Sequence, residues 1–260
     1  MRLRFQLKKA GEHRFVDEGA RSEGPPVVLL HGLVGGVDNW VDTVEALVHR
    51  GYRALVPSLP IYRMPLGSAT VGGLADNVAD FLQAVGVDTA VLGGNSLGGQ
   101  IAGELAIRNR PQVAALILAG SSGVREVSIG SGQVRRRDRE FIRERAAMTF
   151  YDSSLVTEEL VEEAYTSLND RARASRLLRF ARSAQEETLV DRLDRVSSPT
   201  LIIWGRNDRI TPPPVAETLK LRIRDAELEW IDRCGHAPMM EHPRRFNRIL
   251  LGFLERRAAK

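Results

Sequence analysis

Short apolar runs recur along the chain, each closed by glycine, proline or a polar turn and followed by a longer stretch with apolar residues three and four apart. Val27-Val-Leu-Leu30, Ala54-Leu-Val56, Ala90-Val-Leu-Gly93, Ala115-Leu-Ile-Leu-Ala119, Thr200-Leu-Ile-Ile-Trp204 and Leu228-Glu-Trp-Ile231 read as strands. All but the last are almost continuously apolar, the pattern of strands covered on both faces. Helical patterns fill the intervals, at about Val41 to His49, Val71 to Val85, Leu97 to Arg108, Pro213 to Leu221 and Arg244 to Arg257. Such alternation predicts an α/β fold, a mostly parallel sheet flanked by helices. Arg2 to Leu7 and Arg14 to Asp17 predict an antiparallel hairpin on the sheet edge.

One interval departs from the rhythm. Between Ser121 and Ser198 the sequence is charged and amphipathic, as in Thr157-Glu-Glu-Leu-Val-Glu-Glu-Ala-Tyr165, with no strand pattern. It is too long and too patterned for a bare loop. The expectation is a core built from residues 1–120 and 199–260, carrying residues 121–198 as an inserted helical cap. No repeat, low-complexity tract or flexible linker interrupts the chain.

Composition adds little to this picture: 43% hydrophobic and 27% charged residues over 260 positions are ordinary for a globular chain with a substantial core. Met1 to Ala10 contains no apolar run of signal-peptide length, and no run approaches a membrane span. A cytoplasmic protein without membrane attachment is therefore expected. Cys234, the single cysteine, permits no intrachain disulfide. It sits two residues before His236, which raises a thiol nucleophile as one reading and a small residue in a crowded turn as the plainer one.

The charge is +4 with a pI of 9.6, and the densest basic stretch is Arg135 to Arg145. Asp138, Glu140 and Glu144 break up its positive field, Arg136 and Glu140 are four apart, and no nucleic-acid module accompanies it. A solvated helix face is expected there, and no nucleic-acid partner. A homodimer is carried as an option.

Chemistry concentrates at Gly94-Asn-Ser-Leu-Gly98, a G-x-S-x-G string between a predicted strand and a predicted helix. In that setting the backbone reverses sharply at Ser96 and lifts its hydroxyl above the sheet, while the helix beginning there aims free N–H groups at developing negative charge. A serine needs a base and a group to orient it, both at the ends of later strands. Asp208 follows the strand ending at Trp204, and His236 follows the strand ending at Ile231. Near neutrality an imidazole can take the serine proton and return it to a leaving group. His13, His49 and His242 read as surface or capping residues. Asp208 also suits a helix N-cap ahead of Pro212, a structural alternative to the catalytic role.

The backbone N–H of Leu97 and one from the loop His31-Gly-Leu-Val-Gly-Gly36 are expected to form the oxyanion hole, with Leu33 the first choice and Val34 the next. His31 is read as holding that loop's shape. Phe141, Phe150 and Tyr165 are candidates to line the substrate site from the insertion, and Met239 and Met240 from beyond the histidine. His236, Glu241 and His242 lack zinc-ligand spacing and no phosphate-cradling string is present, so no metal and no cofactor are expected.

Together His31-Gly32, Gly94-Asn-Ser-Leu-Gly-Gly99, Trp204-Gly-Arg-Asn-Asp208 and Gly235-His-Ala-Pro238 resemble the α/β-hydrolase superfamily over nearly the whole chain. The insertion is similar to that of capped serine hydrolases, in particular carboxylesterases and the meta-cleavage-product hydrolases that break carbon–carbon bonds. In the latter, the resemblance implies that Asn95 helps to hold the substrate's polar end. Two departures favour the ester reading: Ala164 stands where those enzymes carry a carboxylate-gripping arginine, and Ala237 where tryptophan is frequent. Arg179 or Arg182 could substitute for the clamp. Pro57-Ser-Leu-Pro-Ile-Tyr62 also differs from the aspartate and glycines usual in relatives.

The leading expectation is thus a serine hydrolase of small or medium carboxylic esters, with Ser96 as nucleophile, His236 as base and Asp208 as orienting acid. The alternatives are carbon–carbon hydrolysis of a vinylogous diketo acid, and a ligand-binding sensor on the same fold.

Overall fold

The computed structural model describes residues 5–19, 24–108, 113–124 and 135–258. Among them, eight strands form one sheet: β1 (Lys8–Ala10), β2 (His13–Glu18), β3 (Val27–Leu30), β4 (Ala54–Pro57), β5 (Ala90–Asn95), β6 (Val113–Ala119), β7 (Thr200–Gly205) and β8 (Ala226–Ile231). Their order is β1-β2-β4-β3-β5-β6-β7-β8. From β4 to β8 every neighbouring pair is parallel, and the β1–β2 and β2–β4 pairs are antiparallel. The expected sheet is therefore present.

Side chains leave a strand on alternate faces, so each apolar run feeds two cores. Val28 and Leu30 join Leu74, Phe81, Ile101 and Leu219, from helices α2 (Val71–Ala84), α3 (Leu97–Ile107) and α7 (Pro213–Arg222). Val27 and Leu29 join Val44, Leu47, Phe246 and Phe253, from α1 (Val41–His49) and α9 (Pro243–Ala258). A continuous apolar strand is the sequence's answer to being covered twice.

The edge hairpin is displaced from its expected place. Its first arm is Lys8–Ala10, paired with Arg14 and its neighbours around a tight turn at Gly11-Glu12. Residues 2–4 of the expected arm lie outside the described residues, and Gln6 and Leu7 are not in a strand. Two exposed lysines carry no apolar alternation, which is why that arm is silent in the sequence.

Between β6 and β7 lie α4 (Arg139–Ala146), α5 (Glu158–Asn169) and α6 (Arg171–Glu186), with no strand among the described residues there. Asp138, Thr157 and Asp170 cap them, each accepting a backbone N–H of the first turn on its side chain. The basic α4 region is bound up in ion pairs, Arg135–Asp138, Arg139–Glu162 and Arg143–Glu158. The end of α6 is fastened to the sheet's helices: Ser183 Oγ accepts Val71 N–H, Glu187 accepts Gly72 N–H, and Gln100 Nε2 donates to the Ala184 and Glu187 carbonyls. No helix among the described residues is long and apolar enough to cross a membrane.

Candidate active site

At the end of β5 the chain turns abruptly into α3, and Ser96 sits at the corner with φ 55° and ψ −123°. A non-glycine residue held there costs about 1–3 kcal/mol, a conformation that persists only when its surroundings impose it. The packing around the corner does so. A methyl built on Gly98 would lie 2.6 Å from the Leu30 carbonyl carbon and 2.7 Å from the His31 oxygen, so helix α3 rests directly on the backbone of the β3 loop. Ser96 N–H donates to the Ala119 carbonyl, and Ser96 O accepts Ser122 N–H, which tie the corner to the end of β6.

Asp208 and His236 meet below the surface. His236 Nδ1 lies 2.9 Å from Asp208 Oδ2, and the two side chains are 6% and 0% exposed. With Nδ1–H donated to the carboxylate, the other ring nitrogen, Nε2, is left as an acceptor. Asp208 Oδ1 accepts Ile210 N–H at 2.8 Å and Thr211 N–H at 2.9 Å. One oxygen of the carboxylate thus closes a turn and the other meets the imidazole; the helix N-cap reading is not realised, because α7 starts at Pro213 behind Pro212 with no side-chain cap. Thr211 Oγ1 adds a further contact, 2.8 Å from Asp208 Oδ2 and 3.1 Å from His236 Nδ1. Sequence reasoning missed Thr211, and nothing but its place three residues after Asp208 signals it.

Asn95 joins the serine corner to the histidine loop. Its Nδ2 donates to the Ala119 carbonyl at 2.9 Å and to the His236 carbonyl at 2.8 Å. No direct Ser96–His236 hydrogen bond is formed among the described residues; in sites of this chemistry that contact commonly tightens only with substrate bound.

Leu97 is buried as the first residue of α3, so its N–H opens the helix beside Ser96. Leu33 is partly buried against the α2–α3 core, whereas Val34 is 56% exposed at the rim of the same loop. His31 shapes that loop as expected: Nδ1–H donates to the Gly32 carbonyl, and Nε2 accepts Leu59 N–H at 3.0 Å. Burial holds its ring below the ordinary histidine range.

The residues expected to line the substrate site are dispersed. Met239 is buried in the α1–α9 core. The Phe141 ring is approached by the guanidinium groups of Arg135 and Arg145 at 4.9 and 5.0 Å, and Tyr165 lies beneath that of Arg139 at 3.7 Å. Cys234 is buried, and burial together with the neighbouring Glu241 carboxylate pushes its thiol well above the usual range, against a thiolate nucleophile. Among the described residues no three His, Cys, Asp or Glu side chains gather as a metal site.

Comparison with known proteins places this geometry in context. Residues 27–249 match the alpha/beta hydrolase family. A 2-hydroxy-6-oxononadienedioate/2-hydroxy-6-oxononatrienedioate hydrolase from Paraburkholderia phymatum is 32% identical, over 92% of this chain and 89% of its own. An alpha/beta hydrolase enzyme from a sediment metagenome of the Mar Chica lagoon superposes with a TM-score of 0.80 at 36% identity, covering 97% of this chain and 99% of its own. A meta-cleavage product hydrolase from Pseudomonas fluorescens superposes with a TM-score of 0.79 at 26% identity, covering 94% of each chain.

The Paraburkholderia phymatum and Pseudomonas fluorescens relatives correct the expectation of ester hydrolysis, the one being named for a 2-hydroxy-6-oxononadienedioate and the other for a meta-cleavage product. The physical reason is that a serine, an imidazole and a carboxylate serve acyl transfer whether oxygen or carbon departs. The ester reading rested on two single positions. Ala164 packs partly buried against the α1–α9 core and Ala237 is 2% exposed within it, so both are accounted for by local packing. From β3 into α9 the match is continuous, and the chain belongs to the alpha/beta hydrolase family and is a hydrolase.

Proposed function

We propose that this protein hydrolyses a carbon–carbon bond of a ring-fission product, a vinylogous diketo acid, through Ser96, His236 and Asp208. The observation that carries the proposal is the similarity, along almost the full chain, to a hydrolase named for a 2-hydroxy-6-oxo-dienedioate. The buried Asp208–His236 pair beside a strained serine corner supports it.

His236 takes the Ser96 proton as Oγ adds to the ketone carbonyl, and the Leu97 and Leu33 N–H groups stabilise the oxyanion. The 2-hydroxyl proton has first moved to C5, giving the 2,6-diketo tautomer, so that on collapse the C5–C6 bond breaks and its electron pair leaves as a dienolate conjugated with the 2-keto acid. His236 gives its proton to that fragment. Water, deprotonated by the same imidazole, then releases the acyl group from Ser96 as a carboxylic acid. Residues 121–198 act as the cap over this site, with the exposed Val34 at its rim; Phe141 and Tyr165 are engaged by cap arginines, Met239 belongs to the core, and Asn95 holds the His236 loop. The cap gives no cofactor a role, because water is the only co-reactant.

The test is consumption of 2-hydroxy-6-oxonona-2,4-dienedioate, followed by loss of its dienol absorbance. Wild type should consume it, and Ser96→Ala should lose at least about 10³-fold in kcat while remaining folded. No consumption by wild type, or undiminished consumption by the variant, refutes the proposal.

A further inference from the structure

The loop bearing His236 is stitched to one short strap of the inserted segment, Ala147 to Asp152. His236 N–H donates to the Thr149 carbonyl at 2.7 Å. Arg209, next to Asp208, donates from Nη2 to the Ala147 carbonyl at 2.7 Å and to the Phe150 carbonyl at 3.1 Å. Between them stands a carboxylate that the mechanism does not use. Glu241 closes the short helix α8 (Pro238–Glu241), five residues beyond the histidine. Its Oε2 accepts Gly235 N–H at 2.6 Å, and its Oε1 accepts Asp152 N–H at 2.8 Å.

Both oxygens of one ionised group are therefore engaged by backbone donors, one from each side of the junction. Hydrogen bonds to a charged acceptor are roughly twice as strong as neutral ones. Gly235 immediately precedes His236, so the peptide that aims the imidazole is held at its nitrogen by Glu241 and at the next nitrogen by Thr149. A surface carboxylate with only a solubilising role would have no reason to join the backbone at Gly235 to the backbone at Asp152, the latter 89 residues before Glu241 in the chain.

Resting on the Ser96–His236–Asp208 reading, we propose that Glu241 is a positioning residue: by bridging the Gly235 and Asp152 N–H groups it sets His236 against the inserted strap, so that the imidazole is aligned only while the strap is seated. The group it positions is the imidazole, not the substrate, so its loss falls on kcat and leaves KM nearly unchanged.

The experiment uses the full chain, with Glu241→Gln as the isosteric variant and Glu241→Ala as the deletion. Each is measured for kcat and KM on 2-hydroxy-6-oxonona-2,4-dienedioate, for the rate of Ser96 labelling by a fluorophosphonate, and for urea midpoint. A Gln side chain turns an N–H group towards one of the two backbone donors, so that donor loses its acceptor. Misplacement of a reacting group by about 1 Å costs as much as 10²-fold. The expected result is a kcat about 10-fold lower for Glu241→Gln and up to about 100-fold lower for Glu241→Ala, with labelling slowed in parallel and KM within about twofold. A purely structural residue would lower the urea midpoint and leave kcat and labelling of the folded protein unchanged. Glu241→Gln that is folded, with kcat and labelling within twofold of wild type, overturns the proposal even if Glu241→Ala does not fold. Failure of wild type to label at Ser96 would instead overturn the catalytic reading and this one together, and it is seen before any Glu241 variant is made.

Discussion

Replacing Gly98 by alanine perturbs the site without removing any reactive group. The added methyl would sit 2.6 Å from the Leu30 carbonyl carbon and 2.7 Å from the His31 oxygen, where ordinary contact begins at 3.4 Å. Every atom it meets there belongs to the backbone, so no rotamer change relieves the clash, and helix and loop must separate by about 1 Å. Overpacking of this kind costs about 1–3 kcal/mol, offset by up to about 1 kcal/mol from alanine's better helix propensity. A net loss of about 1–2 kcal/mol should leave the protein folded. The loop that retreats is the one proposed to present the Leu33 N–H to the oxyanion, so kcat should fall by about 10²-fold. Urea unfolding and turnover of the ring-fission dienedioate measure the two effects separately. Gly252→Ala in α9 is the control: its methyl finds only the Arg256 side-chain end at 3.5 Å, and it should stabilise by about 0.5–1 kcal/mol with unchanged kcat. A Gly98→Ala protein that turns over within threefold of wild type would refute the close approach as a determinant of the site.

Two further predictions concern buried polar groups. Thr211→Val removes a hydroxyl 2.8 Å from Asp208 Oδ2 and keeps the side-chain shape; it should cost about 1.5–3 kcal/mol of stability in urea and about 10-fold in kcat, and unchanged values in both would show the hydroxyl to be idle. His31, held neutral by burial, has a folded pKa below its ordinary 6.5, so the unfolded chain binds a proton that the folded chain refuses. The stability tied to the neutral ring is full above pH 6.5 and is lost as pH falls towards the folded value. Melting temperatures measured from pH 7.5 to 5 should therefore fall more steeply for wild type than for His31→Gln, and parallel curves would dismiss this histidine as a source of acid sensitivity.

Several features of the molecule were legible without coordinates. Doubly covered strands advertise themselves as unbroken apolar runs, and so β3 to β7 were located to within about two residues. The corner at Ser96 was equally plain, since only small neighbours permit it, and Asp208 and His236 could be picked out because each lies in the loop just after a strand, β7 and β8. The arm Lys8–Ala10 and the four-residue helix Pro238–Glu241 were not legible, because neither is long enough or apolar enough to leave a period.

Sequence by itself determined where the strands and helices of the core lie, because burial imposes a local period of two or 3.6 residues, and the glycines around Ser96 marked the sharp corner there. Only the tertiary structure decided who meets whom: Thr211 against Asp208, Asn95 against the His236 carbonyl 141 residues away, and Glu241 across to Asp152. A hydrogen bond between distant polar groups writes no periodic signature in either partner's neighbourhood. The scissile bond is less legible still, since a serine, an imidazole and a carboxylate can serve oxygen and carbon leaving groups alike.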